Sequence, residues 1–141
     1  MGTYLLGLDR QGATRAQWAE LQDHPWPPQD QYDPSCCQPI AEVLQHYFQG
    51  HGIDPAQCMT CMLPEAPPFY AACWNACRMI PLGHTTNYSQ LARNAGNSKA
   101  IRAAAGSMRA NTAPVLVPCH RVISADGSVG GFAGAVDPTS V

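Results

Sequence analysis

Residues 111–124 read Asn-Thr-Ala-Pro-Val-Leu-Val-Pro-Cys-His-Arg-Val-Ile-Ser. The apolar run from Ala113 to Val117 has the composition of a short buried strand. It leads directly into Pro118-Cys119-His120-Arg121-Val122. Proline fixes its own φ and restricts the residue before it, so the chain enters Cys119 through a stiff bend. A thiol is a strong nucleophile only as thiolate, and an adjacent imidazole can take its proton. An arbitrary Cys-His pair is more often an inert core thiol beside a chance histidine. A thiol on a rigid bend after a buried strand is held in position, which is what a nucleophile needs.

Upstream of this run the pattern becomes helical. Phe69 to Met79 carries apolar residues on every side and predicts a buried helix, ended by Pro81-Leu82-Gly83. Thr86 or Asn87 is placed to cap a short helix over Tyr88–Ala95, Gly96-Asn97 makes a turn, and Ser98 is placed to cap an alanine-rich helix over Lys99–Arg109. Two short helices joined by a Gly-Asn turn form a helix-turn-helix pattern. Nearer the N-terminus, Thr3–Leu8 predicts a strand, and residues 11–35, bearing Pro25, Pro27, Pro28 and Pro34, predict loops. Residues 38–49 predict a helix, with Pro39 in its first turn and Ile40, Val43, Leu44 and Tyr47 on one face. Gly50 stops it, a proline-rich connector follows over 51–68, and a glycine-rich loop runs from Gly127 to Gly134.

The 141 residues suffice for one domain or for two small lobes sharing a core. Residues 1–77 carry a net charge of −6 and residues 78–141 a net +4. That division fits a polyanion-binding lobe attached to a non-binding one, although taken alone it fits plain unevenness equally well. No secretory h-region opens the chain, and no run of about 18 apolar residues exists to span a membrane. Seven cysteines, an odd number, argue against a secreted disulfide framework and for a cytoplasmic, reduced protein, or a nuclear one in a eukaryotic cell.

Taken together, three groups of residues resemble the O6-alkylguanine–DNA alkyltransferases: Ile80-Pro81-Leu82-Gly83-His84-Thr85-Thr86-Asn87-Tyr88, Gly96-Asn97-Ser98-Lys99-Ala100-Ile101-Arg102-Ala103, and Pro118–Ile123 with Gly130-Gly131-Phe132-Ala133-Gly134. The match is gap-free from about Phe69 to Gly134. The resemblance implies an α+β fold: a small, shortened ribonuclease-H-like N-terminal lobe over 1–66, then a mostly helical, winged-helix-like DNA-binding and alkyl-acceptor lobe over 67–141. It implies that Cys119 is the acceptor thiol for a methyl or larger alkyl group from O6 of guanine (O4 of thymine being a further substrate), used once and without a cofactor. His120 would be its base, acting through a water. Arg102 would enter the stack where the damaged nucleotide is flipped out, and Tyr88 would crowd the 3′ phosphate to rotate it. Ala100 and Ala103 would allow close approach to a minor groove only about 6 Å wide, flanked by Arg109. Asn111 would tie the recognition helix to the active-site strand, Pro114 would line the pocket beside Arg121, and the Val122 backbone would meet the guanine edge. The implied partner is double-stranded DNA containing O6-alkylguanine, met by a monomer with no membrane association.

Some positions depart from that family's pattern. The final helix bearing a glutamate that orients the histidine would lie beyond Val141, and Asp137 is too early to replace it. Phe132 and Ala133 stand where a tyrosine and a serine are usual, each exchange removing a hydrogen bond of roughly 0.5–1.5 kcal/mol. These departures keep open a second reading, a lesion-binding relative that transfers little or nothing and recruits other repair factors. Cys36, Cys37, Cys58 and Cys61, joined by His24, His46 or His51, form a weak zinc candidate; free thiols are the preferred reading. Cys73 and Cys77, one helical turn apart, read as small core residues.

Overall fold

The computed structural model describes residues 3–8, 14–19, 38–57 and 63–128. Strand β1 (Thr3–Leu8) pairs antiparallel with β2 (Thr14–Ala19), Thr3 opposite Ala19 and Leu8 opposite Thr14. Sequence placed β2 inside a long loop. Residues 14–19 lack proline and glycine, and every amide in them can join a ladder.

Helix α1 (Gln38–Phe48) buries Ile40 and Leu44, and Gly50 leaves it at φ 79°. A short 3-10 turn, Pro55–Gln57, follows. Helix α2 (Pro68–Arg78) begins on a proline whose fixed φ suits a first turn. It buries Cys73, Trp74 and Cys77 while Asn75 is exposed, so it carries one buried stripe rather than apolar burial all round. The two-residue strand β3 (Thr86–Asn87) runs straight into helix α3 (Tyr88–Asn94). Asn87 is the cap: its Oδ1 accepts from the Gln90 amide at 2.9 Å and from the Ser89 hydroxyl at 2.7 Å.

Helix α4 (Ile101–Arg109) begins two residues later than Ser98 capping predicted. The Asn97 Oδ1 accepts from the Lys99 amide at 3.2 Å and the Asn97 carbonyl from the Ala100 amide at 3.1 Å, which holds residues 97–100 in a turn before the helix opens. A larger correction falls on 113–117. The expected strand is a tight turn in which the Val117 amide donates to the Ala113 carbonyl at 2.8 Å and Val115 sits at φ 73°. A β-branched residue there costs on the order of 1–3 kcal/mol and persists only where packing over-determines it. Packing does so here: Ala113, Val115 and Leu116 join Ile40 and Leu44 in one buried cluster. Val117 and Val122 join Cys73, Trp74, Cys77, Ile80, Leu91, Ala92, Ala104 and Met108 in another. The turn is thus gripped between α1 and the three helices α2–α4. It delivers a 3-10 turn, Cys119–Arg121, and then strand β4 (Val122–Ile123), which pairs parallel with β3.

Candidate active site

Cys119 opens its 3-10 turn half-buried, packed against the cluster formed by α2–α4. Burial pushes its thiol above the ordinary cysteine range; hydrogen bonds from the Asn111 side chain and from the amides of Cys119 and His120 act the other way. At neutral pH the group is therefore a thiol that must lose a proton to react, and three donors are already aimed at the charge it would acquire. His120 lies exposed on the next residue. Partial desolvation, then the neighbouring Arg121 cation, hold it below the usual imidazole range, while the Asp54 carboxylate works upward. It is neutral at pH 7 and able to accept a proton.

Asn111 builds the site from below. Its Nδ2 donates to the Val117 carbonyl and its Oδ1 accepts from the Ala113 amide, both at 2.9 Å. The end of α4 is thereby fastened to both sides of the tight turn that carries Cys119. Tyr88 comes from the other direction. The pairs Thr86–Val122 and Asn87–Ile123 set β3 beside β4, so the first residue of α3 is placed near the thiol. The half-buried Tyr88 hydroxyl is raised by burial and then by Cys119, with Arg109 opposing, which puts the three groups in one neighbourhood. Arg102 and Arg109 are exposed on α4, Ala100 and Ala103 are half-buried along its start, and Pro114 is half-buried in the tight turn. Arg93 and Lys99 add exposed positive charge nearby in sequence. Phe132 and the four weak zinc candidates, Cys36, Cys37, Cys58 and Cys61, lie outside the described residues.

Sequence reasoning missed the partner of Arg121. This guanidinium is only 4% exposed; it donates to both Asp54 carboxylate oxygens at 2.8 and 3.0 Å and to the Ile80 carbonyl at 2.7 Å. Asp54 Oδ1 also accepts from the Ala56 amide at 3.1 Å. The connector after α1, the end of α2 and the reactive turn thus meet at one buried cation. Asp54 is 67 residues from Arg121, and no local pattern marks it. Cys73 and Cys77 lie buried with free thiols; burial and then the Cys119 sulfur push Cys77 far up, so it stays protonated and inert. Among the described residues no helix is long and apolar enough to cross a membrane.

Comparison with known proteins follows the same residues. A family model for the DNA-binding domain of 6-O-methylguanine DNA methyltransferase matches residues 68–140. The methylated-DNA–protein-cysteine methyltransferase of Mus musculus is 48% identical over 61 residues, 43% of this chain and 29% of that protein. The Haemophilus influenzae protein of the same name is 29% identical over 142 residues, 97% of this chain and 76% of its own. The match spans less than half the length of the mouse and Methanosarcina acetivorans relatives. The solved Mycobacterium tuberculosis OGT in complex with DNA superposes with a TM-score of 0.63 at 27% identity, covering 93% of this chain and 84% of that one.

Proposed function

Because this chain belongs to the 6-O-methylguanine DNA methyltransferase family through its DNA-binding domain, we propose that it repairs alkylated DNA by moving an alkyl group from O6 of guanine irreversibly to Cys119. The observation that carries this is the half-buried Cys119 thiol, braced by Asn111 and followed by a neutral histidine, at the end of a helix pair that exposes Arg102 and Arg109.

In the proposed step His120 takes the thiol proton through a water. The sulfur attacks the alkyl carbon, a C–S bond forms and the C–O6 bond breaks. The electron pair leaves on guanine, which collects the proton, so a thiol and an alkylguanine become a thioether and guanine. Asn111 and the two amides stabilise the thiolate as it forms. Arg102 fills the stack vacated by the flipped nucleotide and Tyr88 presses on its 3′ phosphate. Ala100 and Ala103 admit the groove wall, with Arg109 contacting phosphate. Pro114, Arg121, Val122 and Phe132 shape and support the pocket. The partner is double-stranded DNA with O6-alkylguanine, and the protein acts as a monomer wherever the cell keeps its DNA. Residues 1–66 form the reduced ribonuclease-H-like lobe and 67–141 the winged-helix-like acceptor lobe. No cofactor takes part.

Intact-protein mass after incubation with an O6-methylguanine oligonucleotide tests this. A single methyl increment, lost in Cys119→Ser, is the expected result. Tight binding to the lesion with no mass change would instead make the chain a lesion-binding relative.

A further inference from the structure

Arg121 is a permanent cation next in sequence to the proposed base, and it is buried, so water screens it poorly. A bare cation on the adjacent residue disfavours a second positive charge on the imidazole, which is the charge His120 must take when it accepts the thiol proton. The described charges that bear on His120 are Arg121 from its own turn and Asp54 from the connector after α1, and the Cys119 thiol precedes it in the same turn. Tyr47 on α1 adds a hydroxyl against the guanidinium. Asp54 grips both nitrogens of the guanidinium with near-ideal fork geometry, at 2.8 and 3.0 Å, in a place with little water.

We propose that Asp54 is a positioning residue for the transfer reaction: clamped to Arg121, it cancels the cation beside His120 and fixes the 3-10 turn, so that the imidazole can accept the proton from Cys119. This rests on His120 being the base. It assigns to the N-terminal part of the chain a share in the chemistry, through a carboxylate that touches neither the thiol nor the substrate.

The test is the pH profile of single-turnover transfer from the free base O6-benzylguanine, a probe that needs no DNA binding, measured on the full chain where circular dichroism shows the variant folded. Asp54→Asn keeps the shape and removes the charge. Its plateau rate should fall by about threefold or more, and its acid limb should move to lower pH because the unopposed Arg121 disfavours imidazolium. Arg121→Gln should move the limb the other way. The double variant, neutral like the native pair, should return it toward the wild-type position. A merely structural clamp predicts slower transfer in all three variants with the limb unmoved, and that outcome overturns the proposal. If the wild-type protein transfers nothing, or transfers with no acid limb, it is His120 as base that fails.

Discussion

Replacing Asn111 by alanine should loosen the reactive turn by an amount that the structure lets one work out. Its side chain makes two hydrogen bonds at 2.9 Å, to the Val117 carbonyl and from the Ala113 amide, and a further one to the Cys119 sulfur. The Val117 carbonyl keeps the Cys119 amide at 2.8 Å and loses only a neutral bond, about 0.5–1.5 kcal/mol. The Ala113 amide belongs to a residue 1% exposed and is left without its acceptor, costing about 1–3 kcal/mol. The sum is about 1.5–4.5 kcal/mol, a fall in melting temperature on the order of 10 °C for a chain of this size. The thiol also loses a hydrogen bond that stabilises its anion, so ionisation moves to higher pH. Thermal melts by circular dichroism, paired with the pH dependence of Cys119 alkylation by iodoacetamide, measure both effects. A melting point within about 2 °C of wild type, or unchanged thiol ionisation, would refute the bracing role.

Three further outcomes are expected. A Cβ on Gly106 would lie 2.6 Å from the hydroxyl oxygen at the tip of the half-buried Tyr70, so that ring must shift and Gly106→Ala should gain less than the roughly 1 kcal/mol that alanine's helix propensity alone would give; adding Tyr70→Phe should recover the difference in denaturant melts, and a full gain in the single variant would mean the contact costs nothing. The buried Thr112 hydroxyl has no partner among the described residues, so Thr112→Val should raise stability by about 1 kcal/mol, and a loss of stability would reveal a partner. His120 is held below the usual imidazole range by desolvation and the Arg121 cation, so the acid limb of transfer should have its midpoint below that of a free imidazole, whereas a midpoint at or above the free-imidazole position contradicts the environment assigned to the ring.

How far the sequence could be read depended on the range of the forces involved. Helices α1 to α4 were legible because apolar periodicity, Pro39, Asn87 and the turn at Gly96 act over a few residues, while Pro68, read as the end of the connector, is in fact the first residue of α2. The turn at 113–117 was not, because an apolar β-branched run is strand-like by composition and only packing from α1 on one side and α2–α4 on the other forces Val115 to a positive φ. The parallel pairing of Thr86–Asn87 with Val122–Ile123 was hidden for a similar reason, since two residues are too short for any periodicity. At the site, Cys119, His120 and Asn111 stood out because they are contiguous or nearly so with a recognisable string. Asp54 did not, because a carboxylate in a proline-rich connector has no local feature distinguishing it from a solvated one.

The tight turn also constrains how this chain can change over time. Between Asn111 and Cys119 the backbone is closed on itself by Ala113, Val117 and the Asn111 side chain, and it is packed on both flanks. A substitution there alters a contact, but an added or deleted residue would shift the thiol away from the Asn111 side chain that braces the turn and donates to it. This stretch should therefore tolerate spelling changes and reject changes of length, so that in a library of single-residue insertions and deletions residues 111–119 would stand out as a block with no survivors, bounded by the more forgiving turn at 124–128.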